Sequence, residues 1–356
     1  MQDLEILYEH EYKNLHFVDR KLRLGLGKIL LKGVKKSGKS SLIFDFLTQF
    51  SKKDYLYIDL EDVRINKQIV LNSLESFVLK HTISLLVIEN YDHSIMLPNL
   101  ENIILTSHKN SLHVEGFEEL KLYPLDFEEF IAFERRYSSI EQIFNQFTKD
   151  GTFASIVLRH ENESAKALQE LARILTYETL EYHIFKKFAE LIGNKISLFQ
   201  VYNQLKNSMK VSKDKLYSSV NALEDRSLIA FVPKLHFPNA NKKIFLIDFA
   251  FQSALSFKKD FHKRFENMIF CELHKKYSEI FYSDYFDFYL PQEKLAIVSM
   301  PFLLHQTLQN KIEKALNLSV DLEIQRVLII SLGNEAQFQI KDIDCKLIPF
   351  WDWALS

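Results

Sequence analysis

The stretch GVKKSGKS, residues 33–40, decides how this sequence is interpreted. It places a glycine five positions before a Gly-Lys-Ser triplet, the spacing at which backbone N–H groups and one lysine surround a phosphate. The whole chain of 356 residues has only 8 glycines. Four of them lie in this region: Gly25, Gly27, Gly33 and Gly38. With glycine so rare, chance assembly of the pattern is improbable, and we predict a phosphate-binding loop.

The residues on either side of the loop support this prediction. Residues 28–32, KILLK, form a short apolar run typical of a buried strand, and residues 41–50 carry apolar side chains at helical spacing. A strand, a glycine-containing loop and a helix aim backbone N–H groups and the positive end of the helix at the phosphates. In this arrangement Lys39 reaches the β- and γ-phosphates, and the Ser40 hydroxyl binds Mg²⁺.

We therefore expect ATP and Mg²⁺ as ligands of the loop. The residues predicted to surround the nucleotide are Gly33, Val34, Lys35, Lys36, Ser37, Gly38, Lys39, Ser40 and Ser41. A glycine-softened connection between a strand and a helix, with no nucleotide, is the purely structural alternative.

Three further apolar runs predict parallel strands, because none shows the polar alternation of a half-exposed strand. They are residues 55–59, 84–88 and 102–106. The second run leads directly into Glu89, our candidate for the carboxylate of the Mg²⁺ shell. At the end of the third run, Thr106 or Ser107 could sense the γ-phosphate. Polar residues that merely end strands are the alternative interpretation of all three.

Composition limits the remaining possibilities. The formal net charge is −2 and the pI is near 6.6, so no global positive field attracts nucleic acid or anionic lipid. The polar, acidic N-terminal residues lack the pattern of a signal peptide, and no apolar stretch is long enough to cross a bilayer. Cys271 and Cys345 fit no metal-binding spacing. We expect a cytoplasmic protein without membrane contact.

The first half of the chain resembles the prokaryotic AAA+ ATP-binding proteins, in particular the group with a winged helix and a C-terminal restriction-endonuclease-like domain. The segments that carry the resemblance are residues 28–43, 55–62, 84–92, 102–112 and 117–133. The last of them, FEELKLYPLDFEEFIAF, is the most specific to the group. The resemblance implies an α/β fold in which a parallel P-loop sheet, with the P-loop strand central, is flanked by helices.

Two departures from that group bear on catalysis. The pair at the strand end is usually Asp-Glu, where the glutamate activates the attacking water, whereas this chain has Glu89-Asn90. Asparagine can orient a water but cannot take its proton. Asp92, two residues further on, could substitute for the missing base. The group also tends to carry an arginine where this chain has Phe117. The sequence therefore predicts ATP binding with slow or absent hydrolysis.

The middle of the chain reads as mostly helical, including one long amphipathic helix over residues 163–191. Residues 196–248 follow the order helix, turn, helix, β-hairpin and resemble the winged helix of the same ATPase group. If this module reads DNA, the contact candidates are Lys213, Lys215, Tyr217 and Ser218. Because acidic residues share the same helix, a role in packing or in docking a protein partner is the alternative.

The last hundred residues resemble a nuclease-like domain in which Glu266 lies on a helix and Asp287 on a strand. In that family a Glu-x-Lys pair on the next strand completes the metal site, but here those positions hold Val298 and Met300. Without the pair the site loses one charge and the lysine that assists the water. We predict no nuclease activity, and Glu266 and Asp287 remain as structural residues or as a weak leftover metal site.

These patterns predict three domains: an ATP-binding domain at 1–135, a helical and winged-helix domain at 136–250, and a small α/β nuclease-like domain at 251–356. The function they favour is a slow nucleotide-dependent switch. An active ATPase that binds or processes DNA is the alternative, and a decayed relative with nucleotide as a structural ligand is a third. Oligomeric state stays open; Arg135-Arg136 could serve a neighbouring subunit or simply lie at the surface.

Overall fold

The computed structural model describes residues 2–10, 19–134, 137–159, 163–302, 308–318 and 322–356. The chain divides into two compact units. The first comprises Met1–Pro124 with Asp225–Ser227, and the second comprises Leu125–Glu224 with Leu228–Ser356. Arg135-Arg136 lies outside the described residues.

The first unit is built on a five-stranded parallel sheet with the order β2-β3-β4-β1-β5. Its elements are α1 (Gln2–Glu9), β1 (Lys28–Lys32), α2 (Lys39–Leu47), a 3₁₀ helix (Lys52–Asp54), β2 (Tyr55–Asp59), α3 (Lys67–His81), β3 (Leu85–Glu89), β4 (Asn102–Ser107) and β5 (Glu118–Lys121). β2, β3 and β4 are almost entirely buried, as their unbroken apolar runs predict. The parallel sheet predicted for the first half of the chain is confirmed.

Apolar residues cover both faces of this sheet. Leu56, Ile58 and Leu86 point to one face, where residues of α1 and α3 pack against them. Ile29 and Leu31 point to the other face and meet residues of α2. β1 pairs with β4 on one side and with β5 on the other, so it is an inner strand of the sheet. The loop that follows β1 therefore leaves the sheet between the C-terminal ends of these two neighbours.

The second unit combines helices with two further sheets. Its elements are α4 (Phe127–Phe133), α5 (Ile140–Asp150), α6 (Ala154–Val157), α7 (Ser164–Leu175), α8 (Thr179–Leu191), β6 (Lys195–Ile196), α9 (Leu198–Lys206), α10 (Lys213–Asp225), β7 (Ile229–Val232), β8 (Lys242–Leu246), α11 (Ala250–Leu255), α12 (Phe261–Lys276), β9 (Phe288–Leu290), a 3₁₀ helix (Pro291–Glu293), β10 (Leu295–Ser299), α13 (Leu308–Leu318), β11 (Arg326–Ser331), β12 (Ala336–Ile340), β13 (Ile343–Pro349) and α14 (Phe350–Ala354). The smaller sheet is antiparallel with the order β6-β8-β7, and the larger is mixed with the order β12-β13-β11-β10-β9.

The long helix predicted over residues 163–191 is wrong, because the chain forms α7 and α8 with a break between them. Thr176 ends α7, and its hydroxyl donates to the Ala172 carbonyl oxygen over 2.8 Å. The Glu181 carboxylate accepts from the Tyr177 backbone N–H over 2.7 Å and caps the start of α8. Side-chain hydrogen bonds to the backbone thus interrupt a pattern whose apolar periodicity continues.

An aromatic core joins the early and late elements of the second unit. The ring of Phe350 on α14 lies 5.7 Å from that of Phe127 on α4 and 5.5 Å from that of Phe144 on α5. Phe265 on α12 lies 5.9 Å from the same ring. The segments predicted as separate domains at 136–250 and 251–356 therefore share one packed core within this unit.

Among the described helices, none combines the length and apolar character that a membrane crossing requires.

Candidate phosphate-binding site

The loop between β1 and α2 has a backbone that requires glycine at two positions. Gly38 has φ 102° and ψ 15°, a left-handed conformation that side chains disfavour, and α2 begins at the next residue. A Cβ added to Gly33 would lie 2.3 Å from the Leu122 carbonyl oxygen. The Gly33 N–H donates to the Ser107 carbonyl oxygen over 3.1 Å, which holds the start of the loop against β4.

The Lys39 side chain is folded under this loop. Its ammonium donates to the carbonyl oxygens of Gly33 over 2.7 Å and Val34 over 3.0 Å, and only 8% of the residue is exposed. Burial lowers the pKa of Lys39 to about 8; the charges of Glu89 and Glu61 oppose the shift. A phosphate offers this lysine a charged acceptor, which makes stronger hydrogen bonds than neutral carbonyls.

Ser40 and Glu89 come together at the head of α2. The Ser40 hydroxyl donates to Glu89 Oε2 over 2.8 Å, and Glu89 is 5% exposed at the end of β3. Burial raises the pKa of Glu89 to about 7, and the hydrogen bond from Ser40 limits the shift. Glu89 Oε1 is buried, and the Glu89 carboxylate also has a hydrogen-bonding interaction with the Tyr57 side chain, which lowers its pKa. The Ser40 hydroxyl and the two oxygens of the Glu89 carboxylate are the kind of oxygen donors that Mg²⁺ prefers.

The other loop residues differ in exposure. Val34 is buried, and the Ser37 hydroxyl is buried without a hydrogen-bond partner in the described part of the chain. Lys36 and Ser41 are exposed, and Lys36 adopts a positive φ of 68°. Lys35 forms an ion pair of 2.5 Å with Glu61. The sequence-predicted loop therefore presents both buried and solvent-facing polar groups at one edge of the sheet.

The residues predicted to act near the γ-phosphate lie at the ends of neighbouring strands. Thr106 is fully buried, and its hydroxyl accepts from the Asn90 backbone N–H over 3.0 Å. Ser107 is buried as well, and its hydroxyl accepts from the Lys109 N–H over 3.1 Å. The Asn90 side-chain amide donates to Asp59 Oδ1 over 2.8 Å. Thr106 and Ser107 thus hold turns of the backbone, and Asn90 is linked to β2.

Asp92 points to other partners. It is exposed, forms a 3.1 Å ion pair with Lys67 at the start of α3, and accepts from the Ser94 N–H over 3.1 Å. Burial alone would raise the pKa of Asp92, but the hydrogen bonds from Ser94 and Lys67 outweigh it and lower the pKa. Both oxygens are engaged, since Oδ1 serves Ser94 and Oδ2 serves Lys67.

Three residues near the loop were missed by the sequence interpretation. The Arg20 guanidinium, 7% exposed, donates to the carbonyl oxygens of Ser37 over 2.9 Å and Tyr123 over 2.7 Å. Glu61 contacts Lys35, as described above. Burial lowers the pKa of His108 to about 4, and the positive charge of Lys39 adds to the shift. Only His108 carried a usable signal, because it directly follows Ser107.

The DNA-contact candidates all lie on α10. Lys213 is exposed, with its ammonium 5.6 Å from the Phe199 ring centroid and 5.8 Å from that of Tyr217. Lys215 forms an ion pair of 2.7 Å with Glu178. The Ser218 hydroxyl donates to the Lys215 carbonyl oxygen over 2.9 Å. The exposed face thus combines one lysine, stacked near aromatic rings, with a second lysine whose charge is neutralised.

Glu266 on α12 and Asp287, which directly precedes β9 rather than lying on a strand, both contact one lysine that lies between them. The Lys243 ammonium on β8 donates to Glu266 Oε1 over 2.6 Å and to Asp287 Oδ1 over 3.1 Å. Glu266 Oε2 accepts from Lys263 over 2.9 Å, and Asp287 Oδ2 accepts from the Ser299 N–H over 2.9 Å. Every carboxylate oxygen therefore has an N–H donor, and these residues do not fit a metal ion.

Val298 and Met300 supply no charge to this cluster. Both pack against apolar residues of the larger sheet and of α13. Within the described residues, no group of three or more His, Cys, Asp or Glu side chains is arranged to hold a metal.

Comparison with known proteins places the chain among poorly understood relatives. No protein-family model matches it. It is 26% identical to an uncharacterised protein of Methanocaldococcus jannaschii, in an alignment of 427 positions that covers 100% of this chain and 97% of the relative. It is 21% identical to an uncharacterised protein of Haemophilus influenzae, with 68% of this chain and 73% of the relative covered.

Two solved structures show a weaker likeness. A Walker-type ATPase of Pyrococcus abyssi is 18% identical with a TM-score of 0.44, covering 64% of this chain and 90% of that protein. A signal-transduction ATPase with numerous domains and a tetratricopeptide-repeat sensor, from Pyrococcus horikoshii, is 13% identical with a TM-score of 0.29, covering 78% and 45%. The strand order of the first unit, its loop between β1 and α2, and the carboxylate ending β3 are consistent with a P-loop NTPase fold.

Proposed function

We propose that this chain binds Mg²⁺-ATP in the loop at residues 33–41 and acts as a slow nucleotide-dependent switch. The observation that carries the proposal is the 2.8 Å hydrogen bond from Ser40 Oγ to Oε2 of the buried Glu89 carboxylate. The loop hydroxyl and the strand-end carboxylate come from sequence positions 49 residues apart, yet they meet where a metal-bound nucleotide needs them.

In this proposal each group has a defined part. The backbone N–H groups of the loop and the N-terminal end of α2 bind the phosphates. Lys39 pairs with the β- and γ-phosphates in place of the loop carbonyls that now accept its hydrogen bonds. Ser40 and Glu89 would hold Mg²⁺, directly or through water, and the bound ion would neutralise charge on the phosphates.

The switch is slow because the position after Glu89 holds an amide. The Asn90 side-chain amide donates a hydrogen bond from Nδ2 to Asp59, and it has no basic group that could accept a proton from water. Asp92 is engaged by Lys67 and Ser94. Occupancy by ATP can bias the protein only if the ATP-bound form and the ADP-bound form favour different contacts.

The segment α9, α10, β7 and β8 we propose to be a winged helix, and residues 251–356 a nuclease-like domain that does not cleave. An ATPase that acts on DNA through α10 is the second candidate function. The observation in its favour is the exposed Lys213, which lies beside Phe199 and Tyr217 as in surfaces that stack bases. The pairing of Lys215 with Glu178 weakens that surface.

The experiment that tests the first proposal follows the bound nucleotide over time. Purified protein is loaded with Mg²⁺-ATP, freed of excess, and its nucleotide is identified after several hours. Retained ATP supports the slow switch. Rapid conversion to ADP favours the active ATPase, and no retained nucleotide contradicts both. Lys39→Ala is the control for binding outside the loop, and a gel shift with and without ATP tests the DNA candidate.

A further inference from the structure

A chain of hydrogen bonds leads from Asn90 to the loop that follows β2. Asp59 Oδ1 accepts from Asn90 Nδ2 over 2.8 Å and from the Glu61 backbone N–H over 2.9 Å. Asp59 and Glu89 are register partners at the ends of β2 and β3. One carboxylate oxygen therefore ties the end of β3 to the short segment that carries Glu61.

The Glu61 side chain returns from that segment to the phosphate-binding loop. Its Oε2 lies 2.5 Å from Lys35 Nζ, and the side chain is 41% exposed. Glu61 also acts electrostatically on two groups of the site, because its charge raises the pKa of both Lys39 and His108 against the effect of burial. Its carboxylate is thus beside the loop, and water can reach it.

We infer that Glu61 is the base that accepts the proton of the attacking water, and that Asn90 positions it through Asp59. The inference rests on the proposed function, since it assigns the slow hydrolysis of bound ATP to a carboxylate on the β2–α3 connection. Glu61 is the catalytic residue in this assignment, and Asp59 and Asn90 are positioning residues.

The contacts give a physical reason for asparagine at position 90. A glutamate there would add a third carboxylate beside Asp59 and Glu89, and like charges at such distances repel. The amide instead supplies the N–H that Asp59 needs. Asparagine at position 90 and its hydrogen bond to Asp59 are then explained together. In this arrangement the basic carboxylate is not at the end of β3 but at Glu61, on the segment between β2 and α3.

Lys35 connects this arrangement to the nucleotide. A γ-phosphate beside the loop competes with Glu61 for the Lys35 ammonium, because both are anions and the phosphate carries more charge. The exchange frees the Glu61 carboxylate to accept a hydrogen bond from water. The water oxygen then bonds to the γ-phosphorus, the bond from phosphorus to the bridging oxygen of ADP breaks, and the water proton goes to Glu61; the products are ADP and inorganic phosphate.

The alternative is that Lys35 and Glu61 form an ordinary surface ion pair, which contributes little to stability or function. Single-turnover hydrolysis separates the two. Wild type, Glu61→Gln, Glu61→Asp and the exposed control Glu75→Gln on α3 are loaded with Mg²⁺-ATP, and ADP formation is measured together with the affinity for ATP. We expect Glu61→Gln to bind ATP at least as tightly as wild type and to hydrolyse it about 100-fold more slowly. Glu61→Asp should retain part of the rate.

A second variant tests the positioning role. Asn90→Glu restores the family's acid, so it should raise the rate if the missing base is the whole reason for slow turnover. Our assignment predicts a lower rate, with ADP affinity retained as evidence of folding. Equal rates in wild type and Glu61→Gln, or no hydrolysis by ATP-loaded wild type, overturn the inference and leave the proposed ATP-binding switch standing. Failure of wild type to retain any nucleotide overturns both.

Discussion

The Lys243 ammonium lies 2.6 Å from Glu266 Oε1, and both side chains are about 95% buried. Asp287 adds a second carboxylate over 3.1 Å. The positive charges of Lys243 and Lys263 oppose the burial that raises the pKa of Glu266. Lys243 thus links β8 to α12 and to the start of β9 through a largely buried ionic contact.

Removal of the Lys243 side chain should leave Glu266 Oε1 and Asp287 Oδ1 without their shared buried donor, with the partly exposed Lys263 as the remaining ionic partner of Glu266. We expect Lys243→Ala to lower the free energy of unfolding by about 3–5 kcal/mol, measured by urea denaturation. Lys242→Ala, at the exposed neighbouring position on β8, is the matched control and should change stability by less than about 0.5 kcal/mol. Similar losses of unfolding free energy in the two variants would show that the buried contact of Lys243 does not stabilise the fold more than an exposed lysine does.

The same cluster predicts a negative result for metal-dependent chemistry. Because each oxygen of Glu266 and Asp287 already accepts an N–H donor, we expect no cleavage of supercoiled plasmid DNA in Mg²⁺ or Mn²⁺. Glu266→Gln serves as the control for a contaminating nuclease. Cleavage by wild type that this variant abolishes would contradict the assignment of Lys243 to the space between the carboxylates.

Ser40→Ala separates metal binding from phosphate binding. In the proposed site the Ser40 hydroxyl would act through Glu89 and Mg²⁺, so we expect the Kd for Mg²⁺-ATP to rise about tenfold or more. The variant and wild type should bind ATP equally in excess EDTA. Isothermal titration in the two buffers measures both values, and a deficit that persists in EDTA would mean that Ser40 acts on the phosphates or on the loop itself.

Gly33→Ala tests the shape of the loop. The added Cβ would meet the Leu122 carbonyl oxygen at 2.3 Å, so the loop or the segment after β5 must move. We expect a loss of about 1–3 kcal/mol in stability and the loss of ATP retention. Gly25→Ala is the control, because a Cβ there meets nothing within 4 Å. Normal nucleotide retention by Gly33→Ala would show that the loop tolerates this shift.

His108 should make stability depend on pH. Its pKa is lowered to about 4 in the folded protein, from an ordinary value near 6.5, by burial first and by the charge of Lys39. Between these values the unfolded chain binds a proton that the folded chain does not, so the contribution of His108 to stability falls as pH decreases from about 6.5 to about 4. The drop in Tm from pH 7 to pH 5 should therefore be smaller in His108→Asn than in wild type. His183→Asn, at an exposed position on α8, controls for the loss of one imidazole.

The sequence predicted the parts of the first unit that depend on local patterns. The loop at residues 33–40, the strand before it and the helix after it follow from glycine spacing and apolar periodicity, and Glu89 follows from its place at the end of an unbroken apolar run. The contacts of Glu61 with Lys35 and of Arg20 with Ser37 could not be predicted in the same way. They join residues 26 and 17 positions apart through side chains whose direction no periodicity fixes.

The second unit shows the same limit. Glu266 and Asp287 could be paired by resemblance, but Lys243 comes from a β-strand of the smaller sheet. Nothing in the sequence around Lys243 distinguishes it from the neighbouring Lys242. The break between α7 and α8 was missed because the side-chain bonds of Thr176 and Glu181 compete locally with an uninterrupted apolar pattern.

The position of Phe350 has a consequence for the order of events during synthesis. Its ring completes an aromatic core with Phe127 and Phe144, more than two hundred residues earlier in the chain. The strands of the parallel sheet have all been made by Lys121. At about 5–20 residues per second, a ribosome needs on the order of 10–50 s to travel from that point to α14. During this interval the apolar surfaces of α4 and α5 wait for their last partner, and this stretch of the nascent chain is where a chaperone has the most to protect.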